Sequence, residues 1–156
     1  MLVNLIAYAV AIFLFHPLNV LIHEYGHGFF VKIFGGRVTK IEVGTGEPLF
    51  RVGHVQVNKQ FFISGMCRYD GTPEISKSRL KLSFIAIGGV LFNAVTITML
   101  ILVKVYTDHN HFMDGYYFGV TGMLILSALF PMTYSSGLYS DGKWLVTIWK
   151  KDSLSA

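Results

Sequence analysis

Three long apolar stretches divide the chain, and each has about the length that a helix needs to cross a lipid bilayer. They cover residues 2–34, 82–103 and 117–134. A transmembrane helix needs about 20 predominantly apolar residues. Pro17 is expected to bend the first helix because proline removes a backbone donor, and Gly35-Gly36 is expected to end it. The pattern predicts an α-helical multi-pass membrane protein with about three transmembrane helices.

The segment between the first two apolar stretches has a different periodicity. Thr39, Ile41 and Val43 alternate with charged residues, Gly44-Thr45-Gly46 interrupts the pattern, and alternation resumes around residues 55–57. Alternation with a period of two is typical of strands, and the glycines are typical of turns. We therefore predict a β-rich loop over residues 37–69 that contains short β-strands.

A short amphipathic helix is predicted after the third apolar stretch, from Gly142 to Lys151. Trp144 and Trp149 lie within it, and tryptophan is enriched at membrane–water interfaces, so both are expected to anchor this helix at the membrane surface. Nothing in the length of 156 residues indicates a second domain. The chain is predicted to form a single membrane-embedded domain over residues 1–156.

Composition and charge support a membrane location and suggest an orientation. Hydrophobic residues make up 53% of the chain and charged residues 14%, more apolar than an ordinary soluble domain. The net charge of +4 comes from dispersed basic residues rather than a dense basic cluster, so no nucleic-acid partner is expected. Residues 32–81 carry nine basic and four acidic side chains, whereas residues 104–116 carry one and two. By the positive-inside rule, the loop 35–81 and the C-terminus are expected to be cytoplasmic, with the N-terminus outside the cell membrane.

The first apolar stretch contains the sequence His23-Glu24-Tyr25-Gly26-His27, an H-E-x-x-H motif. On a helix the two histidines lie one turn apart on the same face, where both imidazoles can bind one Zn²⁺. Glu24 lies beside them and can take a proton from water. Ionisable groups at membrane depth are costly and usually functional, which favours zinc hydrolase chemistry over buried polar residues without a metal. We expect one zinc ion per chain.

A catalytic zinc site normally has three protein ligands and a water, so a third ligand is needed. Asp141 is favoured because it follows the break after the third apolar stretch, although an N-cap of the next helix is an equally good role for it. His16 is too far from His23, about 10 Å along the helix, and His109 and His111 lie in the loop assigned to the opposite side. Other candidates on the correct side remain open, namely Glu42, Glu47, His54, Asp70 and Glu74.

Three signatures in this order resemble those of the site-2 protease family of intramembrane zinc metalloproteases. They are the H-E-x-x-H motif in the first apolar stretch, Gly88-Gly89 with Asn93 in the second, and Pro131 followed by Asp141-Gly142 at the third. The resemblance covers nearly the whole chain. The first signature is shared with zinc hydrolases in general, the Asp-Gly pair is weak alone, and the ordered combination is specific.

The resemblance implies a role for each matching residue. His23, His27 and Asp141 would bind zinc, and Glu24 would be the catalytic base. Asn93 would position substrate or stabilise the oxyanion, although an interhelical hydrogen bond would also explain a polar residue there.

The chain departs from the family pattern before the Asp-Gly pair. The family has an Asn-Pro-rich run there, whereas this chain has Pro131 and then Ser135-Ser136-Gly137, which leaves the local backbone open. The chain is expected to be a small form without a PDZ or CBS domain.

These features together favour a zinc-dependent intramembrane endopeptidase that hydrolyses peptide bonds of membrane protein substrates in or beside the membrane. The alternative is a non-catalytic membrane protein of the same fold that binds zinc or a partner, and a small channel or transporter component is a third possibility. Glu24 favours the enzyme, because a purely structural zinc site has no need of a base. The oligomeric state is left open.

Overall fold

The computed structural model describes residues 2–108, 110–134 and 137–150. Helices predominate, and a β-hairpin is inserted between the first two long helices, as predicted. In chain order the elements are α1 (Leu2–Val10), a π-helical turn (Ala11–Phe15), α2 (His16–Ile33), β1 (Arg37–Val52), β2 (Val55–Asp70), α3 (Pro73–Ser76), α4 (Arg79–Thr107), α5 (Met113–Leu129) and α6 (Asp141–Lys150).

The first three helical elements form one continuous helix of 32 residues, Leu2–Ile33. Pro17 cannot donate a hydrogen bond to the carbonyl of Phe13, and the disturbance expected there takes the form of the π-helical turn directly before His16. The helix ends as predicted. Gly35 adopts a left-handed conformation, with φ of 86°, and the Gly36 N–H donates to the Val31 carbonyl at 2.8 Å.

Two helices in the described part of the chain are long and apolar enough to cross a membrane. They are Leu2–Ile33 and α4, which is 29 residues long and therefore extends beyond the predicted range 82–103 at both ends. Large apolar side chains stay exposed along both helices, among them Leu5, Met99 and Val105. A surface of this kind needs apolar surroundings such as lipid.

The third predicted helix is displaced along the chain. It was placed over residues 117–134, whereas α5 covers Met113–Leu129 and has 17 residues. The prediction of its end was wrong because Pro131 disfavours helical backbone at the preceding residue, and Phe130 is extended with ψ of 121°. The helix begins four residues earlier than predicted, and the acidic Asp114 in its first turn favours a helix start there.

The hairpin between α2 and α4 has two long strands, not the short ones predicted. β1 and β2 have 16 residues each and pair antiparallel with several register shifts. Residues 41–43 of β1 have partners on both sides, 65–67 on one and 55–57 on the other. Gly44 has a φ of 83° and bends strand β1, but the strand continues beyond it. The glycines at 44 and 46, which suggested a turn, therefore lie inside a bent strand.

The hairpin, α2, α4 and α6 meet around a small apolar core. Val31, Ile75 and Ile85 are almost fully buried there, and Trp144 packs against them. Trp144 is partly buried in this contact, and its role as an anchor at the membrane surface stays a prediction. Trp149 is exposed and donates a hydrogen bond from Nε1 to Ser83 Oγ at 3.0 Å. The helix α6 begins one residue earlier than predicted, and Lys151 lies outside the described residues.

Candidate metal centre

Helix α2 places His23, Glu24 and His27 in the interior of the protein. Their relative exposures are 6%, 7% and 8%, although glutamate is normally found at surfaces and histidine is only intermediate in burial. The two imidazole rings are one turn apart, with centroids separated by 4.8 Å and planes at 80°. The motif therefore directs two ring nitrogens and one carboxyl group into the same buried region.

Asp141, the first residue of α6, brings a carboxylate to these rings from a distant part of the chain. His23 Nε2 lies 3.0 Å from Asp141 Oδ2, and His27 Nε2 lies 3.6 Å from Asp141 Oδ1. The ligand atoms of all three residues lie within 4.8 Å of one another. Among the described residues, this is the set of His, Cys, Asp and Glu side chains close enough to share a metal ion.

The three side chains fit a zinc ion. Ligands at about 2.0 to 2.1 Å in a tetrahedron stand about 3.4 Å apart, and the two nitrogen–oxygen distances lie on either side of that value. Asp141 Oδ2 is buried and, despite its contact with His23, has no partner aligned for a hydrogen bond in the described structure. Two imidazoles and one carboxylate are also a usual donor set for zinc with an open coordination position.

The second nitrogen of each ring has a different environment. His27 Nδ1 lies 2.6 Å from the carbonyl oxygen of Ile85 in α4, and a proton on Nδ1 leaves the Nε2 lone pair directed at Asp141. His23 Nδ1 is buried and lacks a hydrogen-bond partner in the described residues. His23 is instead fixed by packing, because a Cβ added at Gly89 would lie 2.5 Å from its ring.

Strand β2 lies against Glu24. A Cβ at Gly65 would lie 2.8 Å from Glu24 Oε1, so a glycine is needed for the strand to approach this carboxyl group. The backbone amide of Cys67 lies within hydrogen-bonding reach of the same group. Burial, then the negative charge of Glu24, raises the pKa of the Cys67 thiol to about 12. Cys67 thus packs as a small neutral residue.

Asn93 lies one helical turn beyond Gly89 and is fully buried. Its Nδ2 donates to the backbone oxygen and to Oδ1 of Asn19, each at 3.3 Å. Asn19 in turn donates to the Phe15 carbonyl at 2.9 Å. The interhelical hydrogen bond that was one of the two roles expected of Asn93 is therefore present. Asn93 Oδ1, by contrast, has no hydrogen-bond partner among the described atoms.

The other candidate ligands lie outside the cluster that includes Asp141. Glu42 forms 2.7 Å ion pairs with Lys40 and Arg68. His16 Nε2 is 3.4 Å from the Ile63 carbonyl, and the His54 ring packs edge-on against Tyr25. The remaining acidic candidates lie elsewhere in the hairpin region, with Glu47 paired to Lys59, Asp70 at the end of β2 and Glu74 in the first turn of α3. His109 lies outside the described residues.

The N-cap role considered for Asp141 belongs to its neighbour. Ser140 Oγ accepts a hydrogen bond from the Lys143 N–H at 3.2 Å, which is the bond that an N-cap side chain makes. Asp141 is therefore the first helical residue, and its carboxylate faces the two histidines instead. The Ser140 cap could have been anticipated, since serine is among the favoured N-cap residues.

Tyr134 is a further residue that sequence reasoning missed. Burial, then the negative charges of Asp141 and Glu24, raises the pKa of its phenol. Tyrosine is common at membrane interfaces, so its type alone carried no signal for this position.

An H-E-x-x-H helix met by a carboxylate from a later helix is an arrangement typical of zinc metallopeptidases. The model of peptidase family M50 matches residues 8–141, and the chain belongs to this family, the site-2 protease family that the sequence motifs resemble. The chain is also similar to the "Uncharacterized membrane protein YwmF" of Bacillus subtilis (strain 168). The two are 34% identical over 129 residues, which cover 81% of this chain and 78% of YwmF.

Proposed function

We propose that the protein is a zinc-dependent intramembrane endopeptidase that hydrolyses peptide bonds of membrane protein substrates. The observation that carries the proposal is the buried group of His23, His27 and Asp141, with Glu24 beside it. Membership of peptidase family M50 supports the same activity. A purely structural zinc site would not need Glu24, because structural sites are closed by four ligands.

His23, His27 and Asp141 would hold one zinc ion per chain. Zinc bound at such a site lowers the pKa of a water to about 7 and polarises a carbonyl group. Glu24 takes the proton of the attacking water and passes it to the leaving amine, which general acid–base catalysis requires of one group in two successive steps. Its position in the interior, beneath Gly65, keeps bulk water from competing for that proton.

Asn93 is proposed to orient the substrate or the oxyanion. Its side-chain oxygen is buried without a hydrogen-bond partner among the described atoms, while Asn19 holds the nitrogen. An amide held by one neighbour is pre-oriented, which is what a substrate contact requires.

The free edge of the hairpin offers a place for an unwound substrate. A helical substrate must unwind before its carbonyls can be attacked, and pairing with a strand edge replaces the lost hydrogen bonds. Residues 41–43 of β1 cannot accept such a substrate, because they already have strand partners on both sides. Residues 65–67 have strand partners on one side only within the described structure, and Gly65 touches Glu24, so this edge is the better acceptor.

The proposed topology has three spans, with α5 as the third. α5 carries its one acidic residue, Asp114, in the first turn, where Lys104 Nζ lies 2.7 Å from the carboxylate. The remainder of the helix is uncharged and about 22 Å long at 1.5 Å per residue, shorter than a bilayer core of about 30 Å, so α5 would have to stand upright with the bilayer thinned around it. This arrangement places the N-terminus outside and both the hairpin and α6 in or near the cytoplasm.

Zinc content tests the ligand assignment. Removal of one of three protein ligands should lower zinc affinity by more than about 100-fold, beyond the 10- to 100-fold typical of an outer-shell partner. Asp141→Ala should therefore lose zinc in a chelator competition assay. Glu47→Ala and His54→Ala are matched controls that remove a candidate outside the cluster, and both should bind zinc like the wild type. Normal affinity in Asp141→Ala together with loss in either control would refute the assignment.

A further inference from the structure

The hydroxyl group of Ser140 connects three backbone groups around the start of α6. Ser140 Oγ donates to the Phe130 carbonyl at 2.7 Å and accepts from the N–H groups of Met132 at 3.0 Å and Lys143 at 3.2 Å. The residue is 2% exposed, so water cannot replace these bonds. One donor and two acceptor positions are the full capacity of a serine hydroxyl, and all are used.

These hydrogen bonds lie at the junction between α5 and α6, where backbone groups lack partners within a helix. Pro131 ends α5, and the chain returns to begin α6 only ten residues later. The Phe130 carbonyl and the Met132 N–H have left the helical ladder, and buried backbone groups without partners are costly. The Ser140 backbone adds to the same junction, because its N–H donates to the Met132 carbonyl at 3.0 Å.

Gly142 fixes the other side of Asp141. A Cβ at Gly142 would lie so close to the Leu129 carbonyl oxygen that no side chain could fit, so the first turn of α6 packs directly on the end of α5. Asp141 stands between this contact and the Ser140 hydroxyl. The backbone of Asp141 is therefore held at a fixed position relative to the end of α5, because both of its neighbours contact that end.

We propose that Ser140 is a positioning residue that holds the Asp141 carboxylate against His23 and His27. The inference rests on the proposed zinc site and adds a residue that acts through Asp141. The Ser140 hydroxyl fixes the backbone in a chain that lacks the Asn-Pro-rich run of its family. Without the hydroxyl, Phe130, Met132 and Lys143 each lose a bond, and the start of α6 is free to shift away from the imidazoles.

The test compares Ser140→Ala, Ser140→Thr and Ser127→Ala in the purified full-length chain. Zinc dissociation constants come from chelator competition, and hydrogen exchange of the Met132 and Lys143 amides is measured without metal. Ser140→Ala should weaken zinc binding by about 10- to 100-fold, as for other groups that orient a ligand, and should speed exchange at both amides. Ser140→Thr retains the hydroxyl and should bind zinc within about threefold of the wild type. Ser127 bonds its own helix at the Leu124 carbonyl, and Ser127→Ala should match the wild type.

The outcomes separate this inference from the proposed function. If the wild type binds zinc, Asp141→Ala does not, and Ser140→Ala binds within twofold of the wild type, the positioning role is refuted while the zinc site stands. A wild type that binds no zinc overturns the proposed function and this inference with it. Should Ser140→Ala not fold, Ser140→Cys replaces it with the same expected loss, because a thiol of similar size is a poor hydrogen-bonding group.

Discussion

Glycine residues bring backbone into contact with the reactive side chains of the candidate metal centre. Gly89 lies against the His23 ring and Gly65 against the Glu24 carboxyl group, at distances where any side chain would collide. The two groups are thus held by main chain, which moves less than side chains do. This rigidity suits a site in which ligands and base must keep a fixed geometry.

Cys67 should be nearly inert toward alkylating reagents in the folded protein. Its pKa of about 12 lies above the usual value of about 8.5, so at pH 8 the reactive thiolate is more than about 1000-fold scarcer than in an ordinary cysteine. We expect alkylation by iodoacetamide to be slower by about that factor in native than in denatured protein. Between pH 8 and 11, the native rate should rise about tenfold per pH unit. Native and denatured rates within tenfold of each other would show that Glu24 and burial do not suppress the thiolate.

The sequence predicts residues that share one helix well, but it does not predict which residue from a distant segment joins them. The spacing of His23, Glu24 and His27 within one helix determines that they share a region, so the motif alone predicts it. Asp141 was left between two roles, because its distance from the histidines depends on how α6 packs, which no local pattern encodes. The Ser140 cap settles the N-cap question only once the hydrogen bond to Lys143 is seen.

At the scale of elements, the crossing of α2 and α4 depends on a pair of facing glycines. A Cβ at Gly26 would lie 2.3 Å from the Gly88 carbonyl oxygen, and one at Gly88 would lie 2.6 Å from the Gly26 oxygen. Small residues at such a crossing let two membrane helices approach closely. The same contact places Ile85 against His27 and Gly89 against His23.

Gly26→Ala should destabilise the folded protein by about 1–3 kcal/mol, because the methyl group meets backbone that cannot rotate away. It should also weaken zinc binding, since the shift separates α2 from α4. Gly119→Ala is the matched control. No atom lies within 4 Å of a Cβ there, so this variant should be as stable as the wild type or slightly more stable. Thermal unfolding in detergent measures both, and equal melting temperatures for Gly26→Ala and Gly119→Ala would refute the close crossing.

Element types could be predicted from the sequence better than element ends. The two longest apolar stretches are strong helix signals, and alternating Thr39, Ile41 and Val43 correctly indicated strands. The strand lengths were wrong because Gly44 suggested a turn, whereas cross-strand pairing on both sides of residues 41–43 keeps the chain in the sheet. Tertiary pairing of this kind outweighs local turn preference.

At the scale of the whole molecule, the distribution of charge predicts which side each loop faces. In a Cys67→Ala background, a cysteine at Lys59 should be protected from a membrane-impermeant reagent in intact cells, and one at Asn110 should react. Both positions are exposed in the structure, so protection would reflect the membrane and not burial. The reverse pattern would overturn the proposed orientation, and reaction at both positions would show that α4, which lies between them, does not cross the membrane.

The central claim, that this chain is an intramembrane peptidase with Glu24 as its base, is tested most directly by mass spectrometry of new peptide termini in membranes. Membranes that contain the wild type are compared with membranes that contain Glu24→Gln, with zinc content measured for both. Gln is nearly isosteric with Glu and Glu24 is not a proposed ligand, so zinc should be retained while cleavage falls by about 10² to 10⁴. New termini within or beside transmembrane segments should therefore appear with the wild type alone. If Glu24→Gln retains zinc and still cleaves at more than about a tenth of the wild-type rate, a loss of under about 1.4 kcal/mol, Glu24 is not the base and the mechanism is wrong.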